Sequence, residues 1–465
     1  MPVAREVLAH AADPATAGRA ALLADTRRRT WSQLADDVRA GAVHLQGAGT
    51  VAGDLVAVSI ADPVDAVVAM LAVDLLGATA LVCDPTWTRP HRAEVLRAVE
   101  PTTFCDVALP RGLPGTAGPR DAPAPADDDR PWAGFSSGST GRPRAVVRTR
   151  ASWAGSFGAA AALTGTRPGD VVVVPGPLAS SLYCFATVHA LATGASVRFA
   201  RGGASLVAAL ADGCVVHTVP ADAVEVLDAI EAGAPSALRT LVVGGASLPE
   251  GVRERADRRG IATFAYYGAV ELSFVAYDDD GAGLRAFPGV ELDVRPTPGS
   301  RLGQVWVRSP WVALGYLARA SGPFVREGGW ASVGDLAEAP GGPGQDAPLV
   351  LRGRGDGAIL TGGATVVPED VEVVLRRVPG VRDVVVVGTA HRRLGAVVTA
   401  VVECDARPGL RAHLERVARS NLAPAQRPRR WYGVRTLPRT ASGKAARAAV
   451  SELLLDGPGT LEVLR

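Results

Sequence analysis

Residues 135–144 read Phe-Ser-Ser-Gly-Ser-Thr-Gly-Arg-Pro-Arg, and small residues of this kind let backbone amides approach an anion closely. The hydroxyls of Ser137, Ser139 and Thr140 add donors, and Arg144 adds charge. The spacing is not that of the GxxxxGK[ST] phosphate loop, so the fold built around that loop is not implied. A run rich in Ser, Gly and Thr is also common in plain surface turns. Here it sits between the apolar segment 131–135 and the strand-like segment 145–149, which favours a tethered anion loop. A second signal is compositional. Of 49 cationic side chains, 48 are arginine and a single one, Lys444, is lysine. Helix propensity hardly separates the two residue types, so a general bias toward arginine is tolerated on surfaces. A compact ammonium with three rotatable donors, however, is not imitated by a rigid guanidinium fork. The setting of Lys444, PRTASGK between a strand-like segment and a helical tail, points to a functional ammonium.

Other chemistries find little support. Cys83, Cys105, Cys184, Cys214 and Cys404 are scattered, mostly in apolar runs, and read as buried thiols. The seven histidines form no cluster and no HExxH, which argues against a transition-metal site built by the protein. A formal charge of +2, with no basic-aromatic stripe, offers no nucleic-acid track. The start, MPVAREVLAH, has no signal-like apolar core, and no uninterrupted apolar stretch reaches about 18 residues, so a soluble cytoplasmic protein without a membrane span is expected.

These groups need elements to position them, and 465 residues exceed what one hydrophobic core usually serves. Helical spacing at 31–47 and 65–78 alternates with strand-like runs at 54–60 and 79–83, a pattern of crossover units on a largely parallel sheet. Residues 107–130, rich in Pro, Gly, Ala and Asp, read as a surface loop inside the large domain. The alternation resumes with strands at 171–175, 215–219 and 241–245 and an apolar helix at 182–193. From about 286 short, turn-separated strands suggest a beta-rich subdomain, and 340–348 reads as a flexible turn. A compact unit then restarts with a helix at 368–378. The expected architecture is α/β: a large N-terminal domain of layered sheets and helices with a beta-rich subdomain (1–355), then a small mobile C-terminal α+β domain (356–465).

The chain resembles the adenylate-forming superfamily, which contains acyl-CoA synthetases, nonribosomal adenylation domains and firefly luciferase. Residues 136–146 match [ST]SG[ST]TGxPKGV except for Arg144 in the lysine place and Ala145 for glycine. Tyr267-Gly268-Ala269-Val270-Glu271 resembles YGxTE, Gly334-Asp335-Leu336 resembles TGDL, and Gly353-Arg354-Gly355-Asp356 resembles GRxD. Gly362-Gly363 through Glu372 resembles GGxxIxPxxIE, and Pro438 to Lys444 with Arg447 resembles PxTxxGKxxR. Six motifs in order over about 310 residues make a strong match.

The resemblance implies an ATP-dependent carboxylic acid:CoA ligase acting through an acyl-adenylate. Ser136, Ser137, Gly138, Ser139, Thr140, Gly141 and Arg144 would close over the ATP phosphates, and Glu271 would hold magnesium. Tyr267 and Gly268 would lie against adenine, Gly245-Ala246 would line the adenine and acyl cleft, and Asp335 would take the ribose hydroxyls with Arg354 nearby. Lys444 would reach the carboxylate and α-phosphate, after which rotation about Asp356 would open a thiol channel beside Gly362-Gly363. Val270, Ser180 and Arg150 depart from family positions that carry threonine or histidine, and a nucleotide-binding pseudo-enzyme is one alternative. No acidic residue lies between Val171 and Ala200, which disfavours an α-amino acid and leaves an aryl or short- to medium-chain acid. Coenzyme A is the expected thiol, and a separate acyl carrier protein the alternative.

Overall fold

The structure is a computed structural model that describes residues 3–464, except 26, 137–143, 297–301, 321, 339–347, 355–356, 358, 362–363, 392–394, 406–408, 441–442 and 456–460. Helix starts follow local chemistry. At Trp31–Gly47, Thr30 accepts the Gln33 amide at 3.2 Å and Gln33 returns an acceptor to the Thr30 amide at 3.0 Å, a reciprocal capping box. Asp62 accepts the Asp65 amide at 3.0 Å and Pro63 takes the first helical position, so this helix runs Pro63–Leu75 and begins two residues before the apolar spacing alone suggests.

Two sheets enclose the main core. In the nine-stranded sheet, Ala20–Ala24, Ser196–Phe199, Val171–Val174, Val215–Thr218, Thr240–Val243 and Ala262–Ala269 are parallel neighbours in that order. The sheet is largely parallel, as expected, with antiparallel additions at both margins. The second sheet has six strands, with Gly315–Tyr316, Arg144–Arg148 and Trp132–Ser136 leading into Thr79–Val82, Leu55–Val58 and Thr103–Cys105. The helices Pro63–Leu75 and Ser181–Thr193 lie between the two sheets. Every residue of the first from Val64 on is buried, as are Tyr183 to Leu191 of the second. Helices apolar on all sides need such a place.

The loop 107–130 carries no helix or strand, as its composition suggests, but it is pinned to the body. Arg111 pairs with Asp37 at 2.9 Å and with Asp65, and the Gly112 amide donates to Asp37 at 3.0 Å. Gln46 exchanges hydrogen bonds with the backbone of Arg120 at 2.8 and 3.2 Å. A third sheet, antiparallel, spans Glu291–Pro296 to Leu351–Arg354 and forms the beta-rich part. The fourth, built on the long pair Val381–His391 and Gly395–Cys404, has its own cores on both faces, with helices Pro368–Arg376 and Leu410–Asn421 on one side and Arg447–Leu455 on the other. Most of the turn expected at 340–348 lies outside the described residues. Among the described residues no helix is long and apolar enough to cross a membrane.

Candidate active site

In the nine-stranded sheet the chain leaves Val171–Val174 toward Ser196–Phe199, then returns to the opposite side with Val215–Thr218. Such a reversal opens a crevice at the carboxyl ends of the strands, where open α/β sheets bind ligands. Here those ends carry Pro175-Gly176-Pro177, Val219 and Gly244-Gly245-Ala246.

Lys444 comes to this place from the far end of the chain. Gly245, exposed and left-handed at φ +86°, faces it so closely that a β-carbon there would lie 3.3 Å from Lys444 Cε and 3.5 Å from Nζ. The left-handed backbone favours glycine there, and a side chain would also press on the end of the lysine. Two surface pairs, Arg377–Glu250 at 3.0 Å and Arg352–Asp370 at 3.5 Å, also join the C-terminal unit to the preceding part of the chain.

Tyr267 and Gly268 lie at the end of Ala262–Ala269. The Tyr267 hydroxyl donates to Asp335 Oδ2 at 2.6 Å, so two residues assigned to the nucleoside are in direct contact. Asp335 stands opposite Arg354 in the antiparallel ladder, which places the backbone of the two motifs side by side. At Gly268 the strand register shifts, and a β-carbon would meet the Ser273 carbonyl at 2.3 Å.

Glu271 is buried, with 3% exposure. Its Oε1 accepts from the Tyr316 hydroxyl at 2.9 Å and its backbone carbonyl from the Ala313 amide at 2.8 Å. Tyr316 belongs to the short strand paired with Arg144–Arg148, the strand that leaves the anion loop. Burial and the neighbouring Glu271 push the Tyr316 hydroxyl well above the usual phenol range, and Arg144 acts in the opposite sense. Arg148, at the other end of that strand, is fully enclosed. It donates to the Val270 and Ser152 carbonyls at 2.9 Å each and to the Trp311 carbonyl, while burial disfavours its charge and Glu271 favours it. One buried carboxylate with a hydroxyl partner suits a hard cation that keeps water and phosphate oxygens as its other ligands. Among the described residues no group of three His, Cys, Asp or Glu is arranged to hold a metal alone.

Ser136 and Arg144 face each other in the hairpin that closes the anion loop. Ser137, Gly138, Ser139, Thr140 and Gly141 between them lie outside the described residues, as do Asp356, Gly362 and Gly363. Arg150 does not enter the crevice: it is 3% exposed and pairs with Asp74 at 2.8 Å and Asp129 at 3.5 Å, an interior ion pair whose Asp74 also caps the Ala4 amide. Near the helix Ser181–Thr193, the Tyr183 ring covers Gly176 and the Tyr266 ring covers Gly244, so two aromatic rings fill room left by glycines at the strand ends. An acid does reach that helix from elsewhere. Asp222 of Pro220–Glu231 faces the Tyr183 and Thr218 hydroxyls, and burial pushes its carboxyl upward. Tyr316, Arg148 and Asp222 had no signal in the sequence; a tyrosine after glycine is unremarkable, and one buried arginine is hidden among 48.

The profile of the AMP-binding enzyme family matches residues 8–109 and 106–317, and that of the AMP-binding enzyme C-terminal domain matches 370–444. An uncharacterized acyl-CoA ligase, YhfT, of Bacillus subtilis is 30% identical over 348 residues, which is 70% of each chain. ATP-bound MatB from Rhodopseudomonas palustris shares the fold at a TM-score of 0.82 and 21% identity, covering 98% of this chain and 99% of that one. The o-succinylbenzoate CoA synthetase MenE from Bacillus subtilis, bound to its acyl-adenylate, does so at 0.81 and 20% identity over 96% and 97%. With its motifs in family order and its one lysine at the strand-end crevice, this chain belongs to the AMP-binding, adenylate-forming enzymes and is an AMP-forming ligase.

Proposed function

We propose that this enzyme activates an aryl or short- to medium-chain aliphatic carboxylic acid and transfers the acyl group to coenzyme A. The observation that carries the reading is the approach of the only lysine, from the C-terminal unit, to Gly245 at the mouth of the crevice. An ionised carboxylate is already a nucleophile, so no general base is needed. What the site must supply is alignment with the α-phosphorus and compensation of charge on the phosphoryl oxygens. Lys444 takes that place. Ser136 and Arg144 hold the two ends of the loop over the β- and γ-phosphates, and Tyr267 and Asp335 take the nucleoside. Magnesium held by Glu271 neutralises phosphate charge when bound. Arg354, Asp356 and the Gly362-Gly363 segment keep the roles the family motifs imply: ribose or phosphate contact, pivot, and thiol channel.

The acid class rests on the apolar helix Ser181–Thr193 and on the two tyrosine rings at Gly176 and Gly244, which favour a flat or short apolar group. Asp222 already faces two hydroxyls, an environment that does not favour an α-ammonium. Coenzyme A is supported by the naming of relatives such as YhfT as acyl-CoA ligases.

The test is product formation from ATP, magnesium and a panel of such acids, with and without coenzyme A, read by mass spectrometry. An acyl-CoA peak for one acid class is expected. Acyl-adenylate or AMP without thioester would redirect the second step to a carrier protein, and nucleotide binding with no turnover on any acid would mark a pseudo-enzyme.

A further inference from the structure

The turn that carries Lys444 is closed by its own backbone. The Thr440 amide donates to the Lys444 carbonyl at 2.7 Å, the Gly443 amide to the Thr440 carbonyl at 2.9 Å and the Ala446 amide to the Pro438 carbonyl at 2.7 Å. Gly443 is left-handed at φ +81°, and the peptide between it and Lys444 sets the direction in which the lysine leaves the chain. That peptide has a side-chain partner. Arg439 donates to the Gly443 carbonyl at 3.2 Å, and it also reaches Glu403 at 3.0 Å and Asp383 at 3.2 Å. Glu403, 7% exposed, also accepts the Leu437 amide at 2.9 Å, so one carboxylate holds both the entry to the turn and the arginine. Asp383 is shared with Arg376 at 2.9 Å. Beyond the turn, Arg447 pairs with Glu369 at 2.6 Å and Glu372 at 2.8 Å.

We propose that Arg439 is a positioning residue for Lys444: by bridging the Gly443 carbonyl to Glu403 and Asp383, it fixes the lysine's peptide to the long strand pair Val381–His391 and Gly395–Cys404 of the C-terminal sheet. A partly exposed ion pair by itself adds little to stability. A planar fork of several N–H groups, however, can hold three acceptors from three segments in one geometry, which an ammonium cannot. A long flexible side chain has to place its ammonium to within about 1 Å for charge compensation, and its root is the one part the protein can fix. This inference rests on the role of Lys444 proposed above.

Two substitutions and their combination test it in acid-dependent pyrophosphate exchange, with the best acid of the panel. Arg439→Met is expected to lower kcat about 10- to 100-fold while KM for ATP moves less than about threefold. Because Lys444 is the only lysine, an amine-reactive reagent followed by peptide mass spectrometry reads its environment directly; MgATP with acid is expected to protect it in the parent enzyme and not in Arg439→Met. In the Lys444→Ala background, Arg439→Met is expected to cost nothing further, since it acts through the missing ammonium. Unchanged kcat in Arg439→Met overturns the proposal, and so does a second loss of the same size in the double variant, which marks a purely structural role. Wild-type exchange in Lys444→Ala would instead sink the reading of Lys444 itself. If Arg439→Met does not fold, Asp383→Asn, which loosens the clamp but keeps the guanidinium, carries the same three comparisons with a smaller loss.

Discussion

Glu271 and Lys444, in the roles proposed for them, are two ways of presenting charge to a nucleotide. The carboxylate is buried and held at 2.9 Å by the Tyr316 hydroxyl, whereas the ammonium is exposed and reaches a glycine that leaves it room. Lys444→Ala is expected to lower pyrophosphate exchange by about 10²- to 10³-fold with folding intact, the usual loss when one charge-stabilising donor is removed. Circular dichroism and the exchange assay check both halves. Tyr316→Phe removes one hydrogen bond to a charged oxygen, which is expected to raise the magnesium concentration for half-maximal adenylation about tenfold. A magnesium titration giving the parent value would separate Tyr316 from metal binding. At Gly245 the left-handed backbone strains any side chain, and a β-carbon would press on Lys444 Cε at 3.3 Å.

At the scale of elements, the helix Ser181–Thr193 and the strand Val215–Thr218 each carry a buried histidine. Burial pushes His189 down to about 4, with the Phe157 carbonyl opposing, and His217 down to about 3, with His189 adding to the effect. Both are therefore neutral in the folded protein at pH 7. Below about 6.5 the unfolded chain takes up protons that the folded one refuses, so stability falls as pH drops through the window from about 6.5 toward 4. The cost between pH 7 and 5 is about 2 kcal/mol for each histidine. Thermal unfolding midpoints are expected to fall over that range, and less steeply in His217→Leu. An equal slope in the variant would remove His217 from the account. Elements also explain why Arg148 and Tyr316 converge on one motif. The strand Arg144–Arg148 leaves the anion loop, pairs with Gly315–Tyr316, and ends on the carbonyl of Val270. The proposed phosphate end and the proposed metal carboxylate thus share one scaffold.

For the whole molecule, the arrangement brings the C-terminal unit against the crevice with Lys444 at its mouth. Arg377–Glu250 joins two side chains that are 69% and 86% exposed, a pair of the kind that contributes little. Such an interface is easily released, in keeping with a hinge closure. Asp356→Pro is expected to impair thioester formation several-fold more than adenylation, because a fixed φ hinders rotation about that point. Rapid-quench measurement of the two half-reactions checks it, and equal losses would speak against a pivot there.

Lys444, the glycine loop and the order of six motifs were legible in the sequence because each is local: a few adjacent residues carry the whole signal, and a bias toward arginine makes the lone lysine stand out. The helix Trp31–Gly47 was legible for the same reason, since its cap and its apolar spacing lie in one segment. Which sheet each apolar strand joins was not. Val171–Val174 and Thr79–Val82 are similar short runs, yet they lie in different sheets, and Ala20–Ala24 pairs with Ser196–Phe199 across more than 170 residues. Hydrophobic burial is non-directional, so a buried strand's composition says that it is covered and not by what. The partners of the chemical groups were decided in the same way: Tyr316 reaches Glu271 over 45 residues, and Arg150, which stands in the sequence near a family histidine, pairs with Asp74 in the interior, where a carboxylate compensates its buried charge. Residue types determined which chemistry was available here, and long-range packing decided which copies of each type perform it.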